Sequence, residues 1–197
     1  RSLGRVILAE VDHPHAAPEA EEKIVHIQPS PILDAEGLAH HAFAEERLRY
    51  FVGRGKILDE ISAYLNAEDS HVLAVLGEGG TGKSALMAKA AERAQGAHPK
   101  AQLVYRFIGA TPGSSDGRSL LESLCKEISR CYGADESDVP LDFRDLVPEF
   151  GKRLGLATRE KPLILFLDSL DQLSEHQDAR HLSWLPADQP DHVALVV

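Results

Sequence analysis

Cysteine is almost absent from this 197-residue chain, which carries only Cys125 and Cys131. On one expected helix these two point in different directions and cannot bridge each other, so no disulfide framework shapes the fold. They read as core or boundary thiols of a protein kept in a reducing compartment. Long hydrophobic runs are missing too. No stretch approaches the roughly 20 apolar residues of a membrane span, and none has the layout of a signal peptide. Basic residues are outnumbered, 21 Lys and Arg against 31 Asp and Glu, giving a formal charge of −10. A general nucleic-acid binder needs a clustered basic surface, and none is visible. Repeats and low-complexity tracts are lacking as well. The expectation is an acidic, cytoplasmic protein with no membrane and no direct nucleic-acid contact. Its 43% hydrophobic residues suffice for one sizeable core.

What is present is concentrated in one stretch, Gly77-Glu78-Gly79-Gly80-Thr81-Gly82-Lys83-Ser84, which fits the pattern G-x-x-x-x-G-K-[ST] of a phosphate-binding loop. The apolar run Val72 to Leu76 leads in as a buried strand, and Ser84 to Ala91 leaves with strong helix formers. Each residue type has a physical task. Glycines at 77, 79, 80 and 82 permit positive φ and remove Cβ atoms, so backbone N–H groups can turn toward an anion at the positive end of the next helix. Thr81 completes the loop. Lys83 would reach the β- and γ-phosphates of a nucleotide, and the Ser84 hydroxyl would meet Mg²⁺.

Along the chain, residues 1–34 differ from the rest. They hold Pro14, Pro18, Pro29 and Pro31, an acidic cluster at Glu19, Glu21 and Glu22, and two short apolar runs, Val6-Ile7-Leu8 and Ile24-Val25-His26-Ile27. The segment reads as a linker or the tail of a preceding domain, with one or two extended pieces that could dock on the main body. Residues 35–50 read as a linker helix on the surface of the core. Residues 51–197 hold the rest: a helix over about 54–66, a strand at 72–76, a helix to about Gln95 and a strand at 102–108. Helices follow around Leu120–Ile128 and Phe143–Leu154, the second one kinked or restarted by Pro148. Strand 163–167, continuously apolar, is expected to be buried on both faces. His13, His15, His40 and His41 lack a third ligand at a credible spacing and read as solvated positions. The chain starts at Arg1 and stops in the apolar run Val193–Val197, so it reads as a piece of a longer protein.

Strands alternating with helices imply a parallel α/β sheet, whose ligands sit at the carboxyl ends of the strands. A second motif falls there. Leu163-Ile164-Leu165-Phe166-Leu167 ends in Asp168, a strand-end carboxylate placed to hold Mg²⁺ beside the phosphate loop, as a Walker B acid does beside Walker A. Asp171, three residues on, could orient or polarise an attacking water, or simply cap the following segment.

Phe51-Val52-Gly53-Arg54, the helix after it, the phosphate loop and Asp168-Ser169-Leu170-Asp171 together resemble the STAND class of signal-transduction P-loop ATPases, which includes the NACHT and NB-ARC groups. Arg106-Phe107-Ile108-Gly109-Ala110-Thr111-Pro112 is similar to second-strand segments of NACHT-like proteins that carry WD40 or TPR repeats. The resemblance covers roughly residues 47–197. It implies a three-layer P-loop NTPase of the additional-strand, AAA+-like class, truncated at its C-terminus. In that class the strand after Asp168, here Val193–Val197, inserts between strands 72–76 and 163–167. The strand that would cover the other edge of 72–76 is missing, which predicts an unpaired edge prone to association.

The resemblance also implies that Val52, Gly53 and Arg54 lie against adenine and ribose, that Gly79 to Ser84 hold phosphates and Mg²⁺, and that Asp168 and Asp171 serve metal and water. It implies ATP and ADP as ligands, fused effector and repeat domains outside this chain, and a nucleotide-dependent homo-oligomer. Gln172 stands where many NACHT proteins have an acid, which favours a slow switch over strong hydrolysis. Two readings follow, a regulatory ATPase module and a nucleotide-holding scaffold without useful turnover. A small-molecule kinase is disfavoured by the lack of an arginine-rich lid, and an origin-loader or helicase-like ATPase by the acidic charge and the absence of an identifiable arginine finger.

Overall fold

The computed structural model describes residues 5–8, 34–67, 71–186 and 188–197. The pieces His13-Pro14-His15 and Ile24 to Ile27 lie outside the described residues. In chain order the elements are β1 (Val6–Leu8), α1 (Ala35–Leu48), α2 (Gly55–Leu65), β2 (Ala74–Leu76), α3 (Lys83–Ala97), β3 (Gln102–Phe107), α4 (Gly117–Tyr132), α5 (Phe143–Leu154), β4 (Leu163–Asp168) and β5 (Val193–Val196). Two 3-10 turns, Leu170–Gln172 and His176–His181, lie between β4 and β5.

β4 pairs in parallel with β3 on one side and β5 on the other. β5 in turn meets β2: Leu73 N–H donates to Leu195 O at 2.9 Å, Val197 N–H to Leu73 O at 2.9 Å and Val75 N–H to Val197 O at 2.6 Å. Val193–Val197 therefore lies between the strand that feeds the phosphate loop and the strand that ends in Asp168, as the resemblance implied. On the far side β1 pairs in parallel with β2, Val6 with Ala74, Ile7 with Val75 and Leu8 with Leu76. The order across the sheet is β1-β2-β5-β4-β3.

This pairing corrects one expectation. The outer edge of strand 72–76 is not bare, because the docking apolar piece at Val6–Leu8 covers it. The opposite edge is closed by α1. His40, fully buried, accepts a hydrogen bond on Nδ1 from the Phe107 N–H at 3.2 Å, so a side chain satisfies an amide of β3. His40 is thus a structural bridge and not the solvated position expected from sequence. His41, on the neighbouring side of the helix, meets the Tyr105 hydroxyl at 2.8 Å. Phe43 packs on Phe107 with ring centroids 5.1 Å apart.

The period of two in β4 explains why its run is apolar throughout. Leu163, Leu165 and Leu167 face a core shared with Leu121, Leu124, Ile128, Phe150 and Trp184, whereas Ile164 and Phe166 face one shared with Leu58, Leu86 and Met87. The sheet is the middle of three layers. α4 and α5 are amphipathic helices that each start on an aspartate cap, Asp116 to Ser119 N–H at 2.9 Å and Asp142 to Arg144 N–H at 2.9 Å. α5 runs through Pro148 as one helix, not two. Pro148 is exposed and near the helix start, so the Arg144 carbonyl that loses its N–H partner is left to water. Behind β3, Arg106 and Glu127 form a buried ion pair at 2.5 Å, with Arg106 also donating to Ser123 Oγ at 2.8 Å. Cys125 and Cys131 are buried free thiols, and burial pushes both up to about 12.

Candidate nucleotide site

β2 delivers Gly77 at the carboxyl end of the sheet, and α3 starts at Lys83. Between them Gly80 and Gly82 adopt φ of 78° and 79°, a conformation that a Cβ would strain. Thr81 Oγ1 donates to Glu78 O at 2.8 Å and closes the loop on itself. Helices α1, α4 and α5 are capped by aspartates, yet Gly82 gives α3 no side-chain cap. The first intrahelical bond runs from Leu86 N–H to Gly82 O at 3.0 Å, so the amides before it point out of the helix end without a side-chain partner. Such an end carries partial positive charge and suits a phosphate.

Lys83 folds back over the loop, donating from Nζ to Gly77 O at 2.6 Å and Glu78 O at 2.9 Å. Its ammonium therefore sits over the cradle it helps to form. Arg54 approaches from the start of α2. Held at φ 62°, it donates to Thr81 O and, at 3.3 Å, to Gly82 O. The resemblance places Arg54 beside the base, and in this structure its guanidinium donates to the loop's backbone. Val52 and Tyr50, just before it, are 88% and 83% exposed, unusual for an apolar and an aromatic residue and close to the loop that Arg54 grips.

Asp168 ends β4 with only 5% exposure. The Ser84 side chain lies beside its carboxylate, and Ser169 Oγ donates to its Oδ2 at 3.1 Å. Burial raises the Asp168 carboxyl above its ordinary value, partly opposed by those two hydroxyls and by Lys83. A buried carboxylate and a hydroxyl in contact are a hard oxygen pair, and a cation beside them would relieve the burial of the charge. The donor set fits Mg²⁺. Asp171, close enough to disfavour ionisation of Asp168, lies exposed on the 3-10 turn. The tertiary fold thus brings Lys83 and Ser84, at the start of α3, to the end of β4 and the turn after it, where Asp168 and Asp171 lie.

The neighbouring loop after β3 is tied into the same end of the sheet. Gly109, at φ 87°, lies under the Gln172 side chain, whose Oε1 would be 2.2 Å from a Cβ built there. Its N–H donates to Ser114 Oγ at 2.9 Å. Thr111 Oγ1 donates to Glu36 at 2.7 Å, and the same carboxylate oxygen lies 3.1 Å from His40 Nε2. Sequence reading did not find this link from α1 to the site. Its one signal was the Gly-Ala-Thr-Pro segment, which gives no hint of a partner 75 residues upstream.

No helix among the described residues is long and apolar enough to cross a membrane, and no group of three or more His, Cys, Asp or Glu side chains that could hold a metal ion occurs among them. A family model described as AAA ATPase domain matches residues 50–197. The chain is 32% identical over 172 residues to the human NACHT and WD repeat domain-containing protein 2, an alignment covering 82% of this chain and 10% of that protein. It is 34% identical over 170 residues to the human NACHT domain- and WD repeat-containing protein 1, covering 81% and 11%. Mouse Tetratricopeptide repeat protein 41 is 31% identical over 139 residues, covering 64% and 10%. The chain spans about a tenth of the length of these relatives. With a complete phosphate loop, an inserted strand β5 and this family match over three-quarters of its length, the chain belongs to the AAA ATPase domain family and is a NACHT-like P-loop module built to bind nucleotide.

Proposed function

We propose that residues 51–197 act as a slow ATP-hydrolysing switch that holds ATP or ADP with Mg²⁺ and serves a larger signalling protein. The observation that carries this reading is the uncapped start of α3 under Lys83, with Ser84 beside the buried carboxylate of Asp168. Phosphates would replace the carbonyls of Gly77 and Glu78 as partners of Lys83, and the amides at the start of α3 would take up the remaining oxygens. Ser84 and Asp168 would hold Mg²⁺, which would supply positive charge against that of the phosphates. Gly53 and the exposed Val52 offer an apolar ledge that a base could cover, and Arg54 keeps the loop in shape from below. Asp171 would accept a proton from, or orient, the attacking water. Gln172, lying on Gly109 and uncharged, adds no second base, which supports low turnover.

The repeat-bearing relatives support fused repeat domains as partners of this module; effector domains, nucleotide-dependent self-association as the output and a cytoplasmic setting complete the proposal. The charge of −10 supports a module that does not grip nucleic acid directly. A nucleotide-holding scaffold is the second reading, favoured by Gln172 alone. Released phosphate at saturating ATP and Mg²⁺ separates the two. Turnover that disappears in Asp171→Asn, with ATP affinity unchanged, supports the switch; turnover no greater than that of Asp171→Asn in the unaltered chain supports the scaffold. Denaturing the purified protein and identifying the released nucleotide tests the preference for adenine and the resting ADP state.

A further inference from the structure

β1 is three residues long and joins the sheet through β2 alone. Only Ile7, 4% exposed, is buried, in the core cluster that includes Leu58, Ile61 and Val75; Val6 and Leu8 are 45% and 63% exposed. β2 is held on its inner side by β5, whereas among the described residues β1 has no strand partner besides β2. A strand anchored by one side chain and a few backbone bonds is held far more weakly than β4, whose six residues are all buried. The segment also differs in charge. Residues 1–8 carry Arg1 and Arg5 and no acid, in a chain whose formal charge is −10.

We infer that the outer edge of β2 is a strand-acceptor site: Val6–Leu8 occupies it as a tethered ligand, and the site takes the same basic, apolar-centred segment from a second copy of the chain. The recognition chemistry is that of strand addition. Backbone bonds such as Ala74 N–H to Arg5 O, 2.9 Å, supply adhesion, and the slot filled by Ile7 supplies selectivity for one apolar residue between two that face water. The resident strand belongs to the same chain as its site, so it outcompetes a free segment at micromolar levels. Weakening the resident strand opens the edge, which lies directly before Gly77 and the phosphate loop.

The test needs no nucleotide and therefore stands apart from the switch reading. The full chain carrying Ile7→Asp is titrated against a fluorescent peptide of residues 1–10, followed by anisotropy, beside the unaltered chain and a peptide bearing the same Ile7→Asp change. The expected result is binding to the variant at least ten-fold tighter than to the unaltered chain, with no binding by the charged peptide. Binding to neither protein, equal binding to both, or equal binding of the two peptides overturns the inference. Hydrogen exchange on the unaltered chain provides an independent reading if the variant does not fold. Ala74 donates outward to β1, while its neighbours Leu73 and Val75 donate inward to β5. A weakly held β1 makes the Ala74 amide exchange at least 100-fold faster than both neighbours, and equal protection of all three shows β1 to be a fixed part of the sheet and overturns the proposal.

Discussion

Lys83 and Arg54 both give their donors to carbonyls of the phosphate loop, and this sharpens what each should do when removed. Lys83 gives its hydrogen bonds to loop backbone. Lys83→Ala is therefore expected to reduce ATP affinity in the presence of Mg²⁺ by at least 100-fold while changing folding stability by less than about 0.5 kcal/mol, as for an exposed substitution. Equilibrium binding beside urea unfolding checks both halves. Arg54 grips Thr81 and Gly82. Losing a charged hydrogen bond to the loop amounts to about 1.5–3 kcal/mol, or roughly ten-fold or more in affinity if it all reaches the ligand. Arg54→Ala should weaken ATP and tripolyphosphate alike, and a loss confined to ATP would return Arg54 to the base. Gly109 is the third residue of consequence. At φ 87° under Gln172, Gly109→Ala should destabilise the fold by about 1–2 kcal/mol from backbone strain, since the amide of Gln172 can swing away. A denaturant midpoint equal to that of the parent would contradict this. The phosphate-loop residues were legible in sequence because their spacing is local. Arg54's partner was not, because it lies 27 residues away across a helix.

At the scale of elements, α1 is more than a connector. Its N-cap Asp34 bonds Gly37 N–H at 2.9 Å and pairs with Arg130 of α4 at 2.8 Å, while Glu36 and His40 reach the loop after β3 and the edge of β3. Because Nδ1 of His40 accepts from Phe107, Nε2 carries the proton and faces Glu36. Burial and Arg106 push His40 from 6.5 down to about 4. The unfolded chain then binds more protons than the folded one between these values, so stability is complete above pH 6.5 and is lost as the pH falls toward 4. The loss attributable to His40 is at most about 3 kcal/mol. His40→Gln should be less stable near neutral pH and should lack this portion of the acid dependence, as read from urea midpoints across the pH range. An acid profile identical to that of the parent would show that His40 does not carry it. The thin apolar stripe of α1 makes it look peripheral, since much of its anchoring consists of polar contacts to β3 and α4.

For the whole molecule, the nucleotide site exists only when the sheet is assembled, because Ser84 follows β2 and Asp168 ends β4, with β5 between them. Binding should therefore stabilise the entire fold. At 100 times its dissociation constant, ATP with Mg²⁺ should add about 2.7 kcal/mol, raising the thermal midpoint by a few degrees, and Lys83→Ala should show no such rise. A midpoint insensitive to ATP in the unaltered chain would show that the loop does not bind nucleotide in this fold.

By itself the sequence determined the alternation of helix and strand, the phosphate loop, the acid at the end of β4 and, through the family likeness, the insertion of β5. Those features rest on local periodicity, on glycine where φ must be positive, and on an apolar run long enough to need burial on both faces. Only the tertiary structure decided that Val6–Leu8 closes the edge beside β2, that buried His40 closes the edge beside β3, and that Arg54 turns to the loop. Each of these is a contact between residues distant in the chain, and the free energy that selects it comes from satisfying a donor or an edge that exists only once the sheet has formed.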